Sequence, residues 1–378
     1  MYYQYTLFKL IKKYMNKSYY SLGLMSGTSG DGIDASLAIS DGKDKFDVIL
    51  NEYSIYPQDI SDEFHRLKEK ILNLENIDKY SKNIKDLERK ITLCNSTAVE
   101  FIKKKLLESQ IKIDLIGFHG QTILHAPEKK FSLQLGDAKL LSQLTNIKVV
   151  YNFRENDLKN GGQGAPLSPV FHQLLVNQKK IVLPLTILNL GGIANLTSID
   201  KKNKISSSDI GPGNCLIDSW VRLNSKNFFD EDGKLAKSGK INKIILDQSL
   251  KNFYEHSTSK KKSFDTNDFD FSFVKGLSLE DGAATLTEFT AEICSKKIVD
   301  NKVYICGGGR KNSFLLERIK KKSGRQIESI DKLGIDGDFV ESQAFAYLAV
   351  RSYLKLPISF PETTGCVKAC TGGEIIRL

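Results

Sequence analysis

One pattern occurs twice in this chain, and it restricts the fold more than any other feature. An apolar strand runs into a glycine turn and out into a second strand at "GLMSGTSGDGIDASLAI", from Gly23 to Ile39. The same order returns at "LPLTILNLGGIANLTSID", from Leu183 to Asp200. Each hairpin is followed by a third short strand across a polar turn, Phe46–Tyr56 after "SDGKDK" and "KISSSDIG" after Asp200. Connections this short force antiparallel pairing.

Beyond each meander the chain alternates helix and strand. Helices are expected near Ser61–Leu74 and Ile84–Glu108, the second with apolar residues at helical spacing. The strand "IDLIGFHG" follows, then "AKLLSQLT" and "IKVVYNF". In the second half come a helix near Asn214–Leu223, the long helix "LEDGAATLTEFTAEICSKKI", the strand "KVYICGGG" and the helix "NSFLLERIKKK". The apolar "GDFVESQAFAYLAVRSYLK" predicts a closing helix. A pattern repeated in this way specifies an α/β chain of two domains, with a cleft between them and one hairpin turn on each wall.

Composition narrows the function. The 378 residues suffice for two cores. No apolar run approaches the roughly 20 residues of a membrane span; the longest, Ile181–Leu190, ends in Gly-Gly. The net charge of +10 raises the question of nucleic acid, but lysine far outnumbers arginine and is spread along helices. Arginine forks and interleaved aromatics, which read bases, do not cluster. Neither a nucleic-acid nor a membrane partner is therefore expected, and the surplus suits an anionic substrate. Of the six cysteines only Cys366 and Cys370 are near one another, and they lack zinc-site companions, so all are expected as reduced cytoplasmic thiols. Residues 1–20 are basic and lack a signal-peptide core, and are expected to form a flexible extension.

The chemistry concentrates in the turns. Gly27, Gly30 and Gly32, with Thr28 and Ser29, can converge main-chain N–H groups on phosphate oxygens. Asp31 or Asp34 beside a polyphosphate calls for Mg2+, directly or through water; a plain glycine hairpin with a capping aspartate is the alternative. Gly191 and Gly192 form a second such turn. Gly307, Gly308 and Gly309 lie between a strand and a helix, with Asn312 near the helix start, and would admit a flat base or sugar. Neither Walker nor dinucleotide spacing is present. In "SSSDIGPGNCLIDSW", Asp209 ends a strand before the stiff Gly211-Pro212-Gly213 turn and Asn214 is placed to cap the next helix. A carboxylate held there can act as general base on a hydroxyl or water, or merely cap a helix. His119, Gln121, Thr122, Arg154 and Gln163 supply polar groups suited to a sugar.

Taken in order, "GLMSGTSGDGID", "GFHGQTILHAP", "FRENDLKNGGQGAPL", "LNLGGIANLT", "DIGPGNCLIDSW" and "CGGGRKN" resemble the anhydro-N-acetylmuramic acid kinases, from about Leu22 to the C-terminus. The resemblance implies the duplicated actin/hexokinase-like (ribonuclease H-like) ATPase fold with ATP in the cleft. Domain I would take residues 21–145 and about 340–378, and domain II residues 146–339. The implied reaction opens the 1,6-anhydro bridge of the muramyl sugar with water and phosphorylates the freed 6-oxygen, in cytoplasmic cell-wall recycling. Asp209 matches the family's catalytic acid and would take the proton of the attacking water. Gly27 to Asp34, Ile33 included, match the ATP-binding hairpin, and the charge argument makes Asp31 the metal candidate, directly or through water. Sugar contacts would lie in the HGQT and GGQGAP regions, and Arg154 is the candidate partner of the sugar's lactyl carboxylate. A homodimer is compatible with the kinship. Two positions depart from the family pattern: Gly30 where leucine is usual, expected to loosen the turn, and Asn152 where an acid usually precedes Phe-Arg, expected to disturb Arg154. A conventional sugar kinase on the same fold, or a catalytically silent sugar-sensing module, are the other readings.

Overall fold

The computed structural model describes residues 17–256 and 263–377. Its strands, in chain order, are Tyr19–Met25 (β1), Gly32–Ser40 (β2), Phe46–Ile55 (β3), Leu115–Phe118 (β4), Gln121–Ala126 (β5), Phe131–Leu135 (β6), Lys148–Tyr151 (β7), Leu185–Leu190 (β8), Ile193–Ile199 (β9), Ile205–Pro212 (β10), Lys302–Cys306 (β11), Gln326–Ser329 (β12) and Glu374–Ile376 (β13). They form a six-stranded sheet in the order β13-β7-β4-β1-β2-β3 and a five-stranded sheet in the order β10-β9-β8-β11-β12, with β5 and β6 as a separate hairpin. In both large sheets an antiparallel meander is extended through its first strand by parallel strands, β4 and β7 in one, β11 and β12 in the other. The duplication expected from the two hairpins is therefore one of topology. The strand orders are those of a duplicated fold, as expected from the two hairpins.

Local chemistry repeats with it. The turn between β2 and β3 is fixed by Asp41, whose Oδ1 accepts the amides of Lys43, Asp44 and Lys45 at 2.9, 3.1 and 3.0 Å. The turn between β9 and β10 uses Asp200 in the same way, its Oδ1 accepting from Lys202 and Lys204 at 2.7 and 2.8 Å. An aspartate that satisfies several turn amides locks the register of both flanking strands.

Helices cover the sheets. The first packs Leu22, Leu24, Ile33 and Leu37 against the long helix Ser81–Lys105 through Leu87, Ile91 and Val99. On its other face lies Val340–Tyr353, apolar nearly all round and buried along its length. This helix approaches β1 and β4 closely because Gly23 and Gly117 lack side chains. A Cβ on Gly23 would lie 1.9 Å from the Ser342 carbonyl oxygen, and one on Gly117 would lie 2.3 Å from that of Phe345. The core beneath it is shared between the halves, joining Met25, Phe171 and Tyr347 to Ile187, Ile199 and Cys306 of the second sheet.

The chain crosses from the first sheet to the second after Tyr151, not near residue 145, because β7 pairs with β4 and the C-terminal β13 pairs with β7. Tyr19 and Tyr20, placed by expectation in a flexible extension, are already part of β1; residues 1–16 of that extension lie outside the described residues. No helix among the described residues is long and apolar enough to cross a membrane.

The close approach at Gly23 sets a clear expectation. Gly23→Ala must push the closing helix off the sheet, and is expected to lower the unfolding free energy by about 3 kcal/mol, at the upper end for overpacked cores. A thermal midpoint equal to that of the parent protein would show that the helix yields without cost.

Candidate functional site

The two hairpin turns meet at the cleft. In the first, the Gly30 amide donates to the Gly27 carbonyl at 3.1 Å and Ser29 Oγ donates to Asp31 Oδ1 at 2.5 Å. Gln121 Nε2 reaches from β5 to the same Gly27 carbonyl at 2.7 Å, so the HGQT segment braces the glycine turn. Thr28 lies against the second hairpin, where a Cβ on Gly192 would sit 2.8 Å from its own Cβ. Behind that hairpin, Asn214 N donates to the Gly191 carbonyl and Gly213 N to the Gly192 carbonyl, each at 2.9 Å. The GPGN turn is thus a backing for Gly191 and Gly192.

The expected adenosine loop divides by role. Gly307 and Gly309 press on β8, where a Cβ would meet Asn189 Oδ1 at 2.4 Å and Leu190 Cβ at 2.7 Å respectively, while Gly308 faces open space. Asn312 caps the helix Ser313–Ser323, its Oδ1 accepting from Leu315 N at 2.9 Å. Arg310 pins the loop through Asp331 at 2.9 Å and Asp338 at 2.6 Å.

Carboxylates crowd the phosphate side. Asp34 is pushed up to about 8 by burial first and then by Asp31, Glu341 and Asp338, with Lys311 opposing. Glu341, in the first turn of Val340–Tyr353, is raised by burial and tied to Asn189 Nδ2 at 3.3 Å. Negative charge is concentrated in this way around Asp34, and carboxylate oxygens are the donors a hard divalent cation takes, although among the described residues Asp31, Asp34 and Glu341 do not bring three ligand atoms within 4.8 Å of one another.

Asp209 lies opposite Asn195 on β9, where the register shifts between Asp209 and Gly211. Its Oδ2 accepts the Phe264 amide at 2.8 Å, and the Ser263 hydroxyl also donates to the carboxylate. Burial raises its pKa to about 7, against the opposing pull of the Phe264 amide, Arg154 and Ser263; Glu341 adds to the rise. Arg154 is held by two acceptors, donating from Nη2 to His119 Nε2 and from Nη1 to the Gly164 carbonyl, both at 2.9 Å. His119 must therefore carry its proton on Nδ1, which donates to the Gly120 carbonyl at 2.8 Å. Burial and the facing Arg154 hold its pKa well below the usual value. His119 is thus a support for Arg154, stacked on Phe345 at 4.5 Å between centroids.

Gln121 Oε1 and Asn195 Oδ1 are buried and take no hydrogen-bond partner among the described residues. Thr122 accepts a long contact from Gln134 Nε2 at 3.4 Å, and Gln163 is held in the GGQGAP loop by its amide, which donates to the Thr364 carbonyl at 2.9 Å. Asp157, buried beside Cys366 and Cys370, has both carboxylate oxygens engaged, by Gly164 N at 2.7 Å and Thr364 Oγ1 at 2.6 Å. That cluster anchors the loop.

Several expectations change in detail. Ile33 is a core residue at 1% exposure. Asp209 lies within β10, which runs on to Pro212, rather than at its end. Asn214 does not cap its helix with its side chain, which instead donates to the Leu190 carbonyl at 3.2 Å. Gly30 does not loosen the turn: at φ +61° it fills a left-handed position, and the Phe64 ring occupies the space where its Cβ would be, 2.4 Å away. Asn152 does not disturb Arg154, because its amide turns away to Glu155 and Glu374. Glu341, Asn189, Arg310, Ser263, Phe264 and His125 were not foreseen. Of these Asn189, Arg310 and His125, lying inside motifs, carried a local signal.

A family model described as anhydro-N-acetylmuramic acid kinase matches residues 19–377. A protein of that name from Pelagibacter ubique is 48% identical over 377 residues, covering 96% of this chain and 100% of its own length. Proteins of the same name from Brucella canis (37% over 375 residues, 94% of this chain and 98% of that one) and Rhodospirillum rubrum (38% over 360 residues, 94% and 93%) are similar to it as well.

At Gly30 the geometry makes an unusual forecast. Replacing Gly30 with leucine should destabilise the chain by about 1–3 kcal/mol through the clash with Phe64 and the left-handed backbone, and should raise the KM for ATP. An unchanged thermal midpoint and KM would show that Phe64 moves aside freely.

Proposed function

The chain belongs to the anhydro-N-acetylmuramic acid kinase family, and on that footing we propose that it opens the 1,6-anhydro bridge of the muramyl sugar with water, using Asp209 as the base. The observation that supports this reading is the state of Asp209: a carboxylate raised to about 7 by burial, against the opposing pull of the Phe264 amide, the Arg154 cation and the Ser263 hydroxyl. A base of that pKa is strong enough to take a proton from water yet is substantially ionised near neutrality.

The step runs as follows. Asp209 accepts a proton from the water whose oxygen bonds to the anomeric carbon. The bond from that carbon to the bridging oxygen breaks, and its electron pair stays on the 6-oxygen. That oxygen attacks the γ-phosphorus of ATP and ADP leaves, giving N-acetylmuramic acid 6-phosphate. One base thus serves both bond changes, provided the reactants are held in line.

The main-chain amides of Gly27–Gly32 and Gly191–Gly192 are suited to cradle the phosphates, with Gly308 the open position for the adenosine end. Asp31, backed by Asp34 and Glu341, would hold Mg2+, which when bound neutralises charge on the transferring phosphoryl oxygens. Arg154, braced by His119, is the cation offered to the sugar's carboxylate, and the buried acceptors Gln121 Oε1 and Asn195 Oδ1 suit sugar hydroxyl or amide donors. In this reading the first sheet with its closing helix forms one wall and the second sheet the other, and the reaction belongs to cytoplasmic cell-wall recycling.

The test is ADP and phosphosugar formation from ATP, Mg2+ and 1,6-anhydro-N-acetylmuramic acid. Asp209→Asn should lose about 10²–10⁴ in kcat with the KM for ATP little changed. Because the carboxylate must be ionised, kcat/KM should fall as pH drops below about 7. Preference for the already open sugar would identify a conventional sugar kinase instead, and full turnover by the asparagine variant would remove Asp209 from the role.

A further inference from the structure

We propose that Ser263 and His125 are positioning residues for Asp209, joined to it in one directed hydrogen-bond chain that spans the cleft. The inference rests on Asp209 being the base. Ser263 Oγ lies 2.7 Å from His125 Nε2, and His125 Nδ1 lies 2.9 Å from Ser132 Oγ. Gln134 Nε2 donates to Ser132 Oγ at 2.7 Å. Ser263 and His125 are buried, at 0% and 8% exposure.

Donor chemistry gives the chain a direction. The Gln134 amide nitrogen has only hydrogens to offer, so Ser132 accepts from it and keeps its own hydroxyl hydrogen to give; the assignment that ends on Asp209 gives that hydrogen to His125 Nδ1. With Nδ1 accepting, the imidazole proton sits on Nε2 and donates to Ser263 Oγ. The Ser263 hydroxyl is then left to turn to Asp209, whose pKa it lowers. Every link thus points toward the carboxylate, and aligned bonds of this kind polarise one another.

The chain also crosses between the halves. His125 and Ser132 belong to the β5–β6 hairpin that follows the first sheet. Asp209 and Ser263 belong to the second half, Ser263 lying between β10 and β11. A second bond runs beside the first, the His125 amide donating to Asp265 Oδ2 at 3.0 Å. Asp265 is itself fixed, accepting from Asn267 N at 3.0 Å while its own amide donates to Asp268 Oδ2 at 2.7 Å. Ser263 therefore has its imidazole partner only while the β5–β6 hairpin and the segment Ser263–Asp265 are in contact. Such an arrangement couples the readiness of the base to closure of the cleft around substrate.

The charges facing Asp209 are Arg154, from the segment after β7, and Glu341, from the closing helix. Neither belongs to the chain, so changing Ser263 alters one influence at a time. Loss of a donor to the ionised carboxylate raises its pKa.

The experiment is the pH profile of kcat/KM in the full-length enzyme carrying Ser263→Ala, Ser263→Thr, His125→Ala or both alanine changes. Ser263→Ala should move the acid limb to higher pH by about one unit and lower kcat about tenfold, with the KM for ATP unchanged. Ser263→Thr, which keeps the hydroxyl, should restore both. His125→Ala should shift the limb the same way, and adding it to Ser263→Ala should bring little further change. An unmoved acid limb in Ser263→Ala, while Asp209→Asn is inactive, overturns the chain and leaves the base in place. Full activity of Asp209→Asn would instead remove the base on which the chain rests.

Discussion

A single carboxylate balanced between burial and hydrogen bonding sets the terms for the rest of this structure. Burial alone would keep Asp209 protonated, and full exposure would make it a weak base. The Phe264 amide, the Ser263 hydroxyl and the Arg154 guanidinium pull against burial and bring it to about 7. Each of those groups is itself held. Arg154 is fixed by His119 and Gly164, His119 by its own neighbouring carbonyl and Phe345, and Gly164 by Asp157. The site is rigid because its supports are bonded to supports of their own.

The two sheets are built alike and used differently. Both carry a meander with an aspartate-locked turn, Asp41 in one and Asp200 in the other. The first contributes a glycine hairpin rich in hydroxyls and acids, the second a bare Gly-Gly hairpin and the strand that carries Asp209. The shared core under the cleft, from Met25 and Tyr347 to Ile187 and Cys306, ties the halves at their base while the upper walls meet through Thr28 and Gly192. Architecture of this kind suits a phosphoryl transfer in which a chain of atoms must line up between two surfaces.

Much of this was legible in the sequence, for a physical reason. Strands β1 to β3 and β8 to β10 announce themselves by apolar runs broken with glycine, and the closing helix by its apolar content. Asp209, Arg154 and the glycine turns lie inside local motifs whose composition has few other uses. What stayed hidden depends on contacts distant in sequence. The membership of β13 in the first sheet is decided by pairing with β7 across more than two hundred residues. Glu341 sits in a helix that periodicity marks only as core. Ser263 and Phe264 lie in a charged, irregular stretch with no period at all, and reach Asp209 and His125 through main-chain and hydroxyl groups that any sequence could offer. Gly30 and Asn152 show the reverse failure: they looked like defects only because Phe64 and Glu374, which accommodate them, come from elsewhere in the chain.

The account stands or falls on where Asp209 lies when the cleft is filled. The most direct measurement is a crystal structure with a non-hydrolysable ATP analogue and the anhydro sugar bound together. The expected result is a water hydrogen-bonded to the Asp209 carboxylate and about 3–3.5 Å from the anomeric carbon, with the bridging oxygen aimed at the γ-phosphorus. A bound sugar whose anomeric carbon faces another side chain, with Asp209 turned to the protein interior, would contradict it.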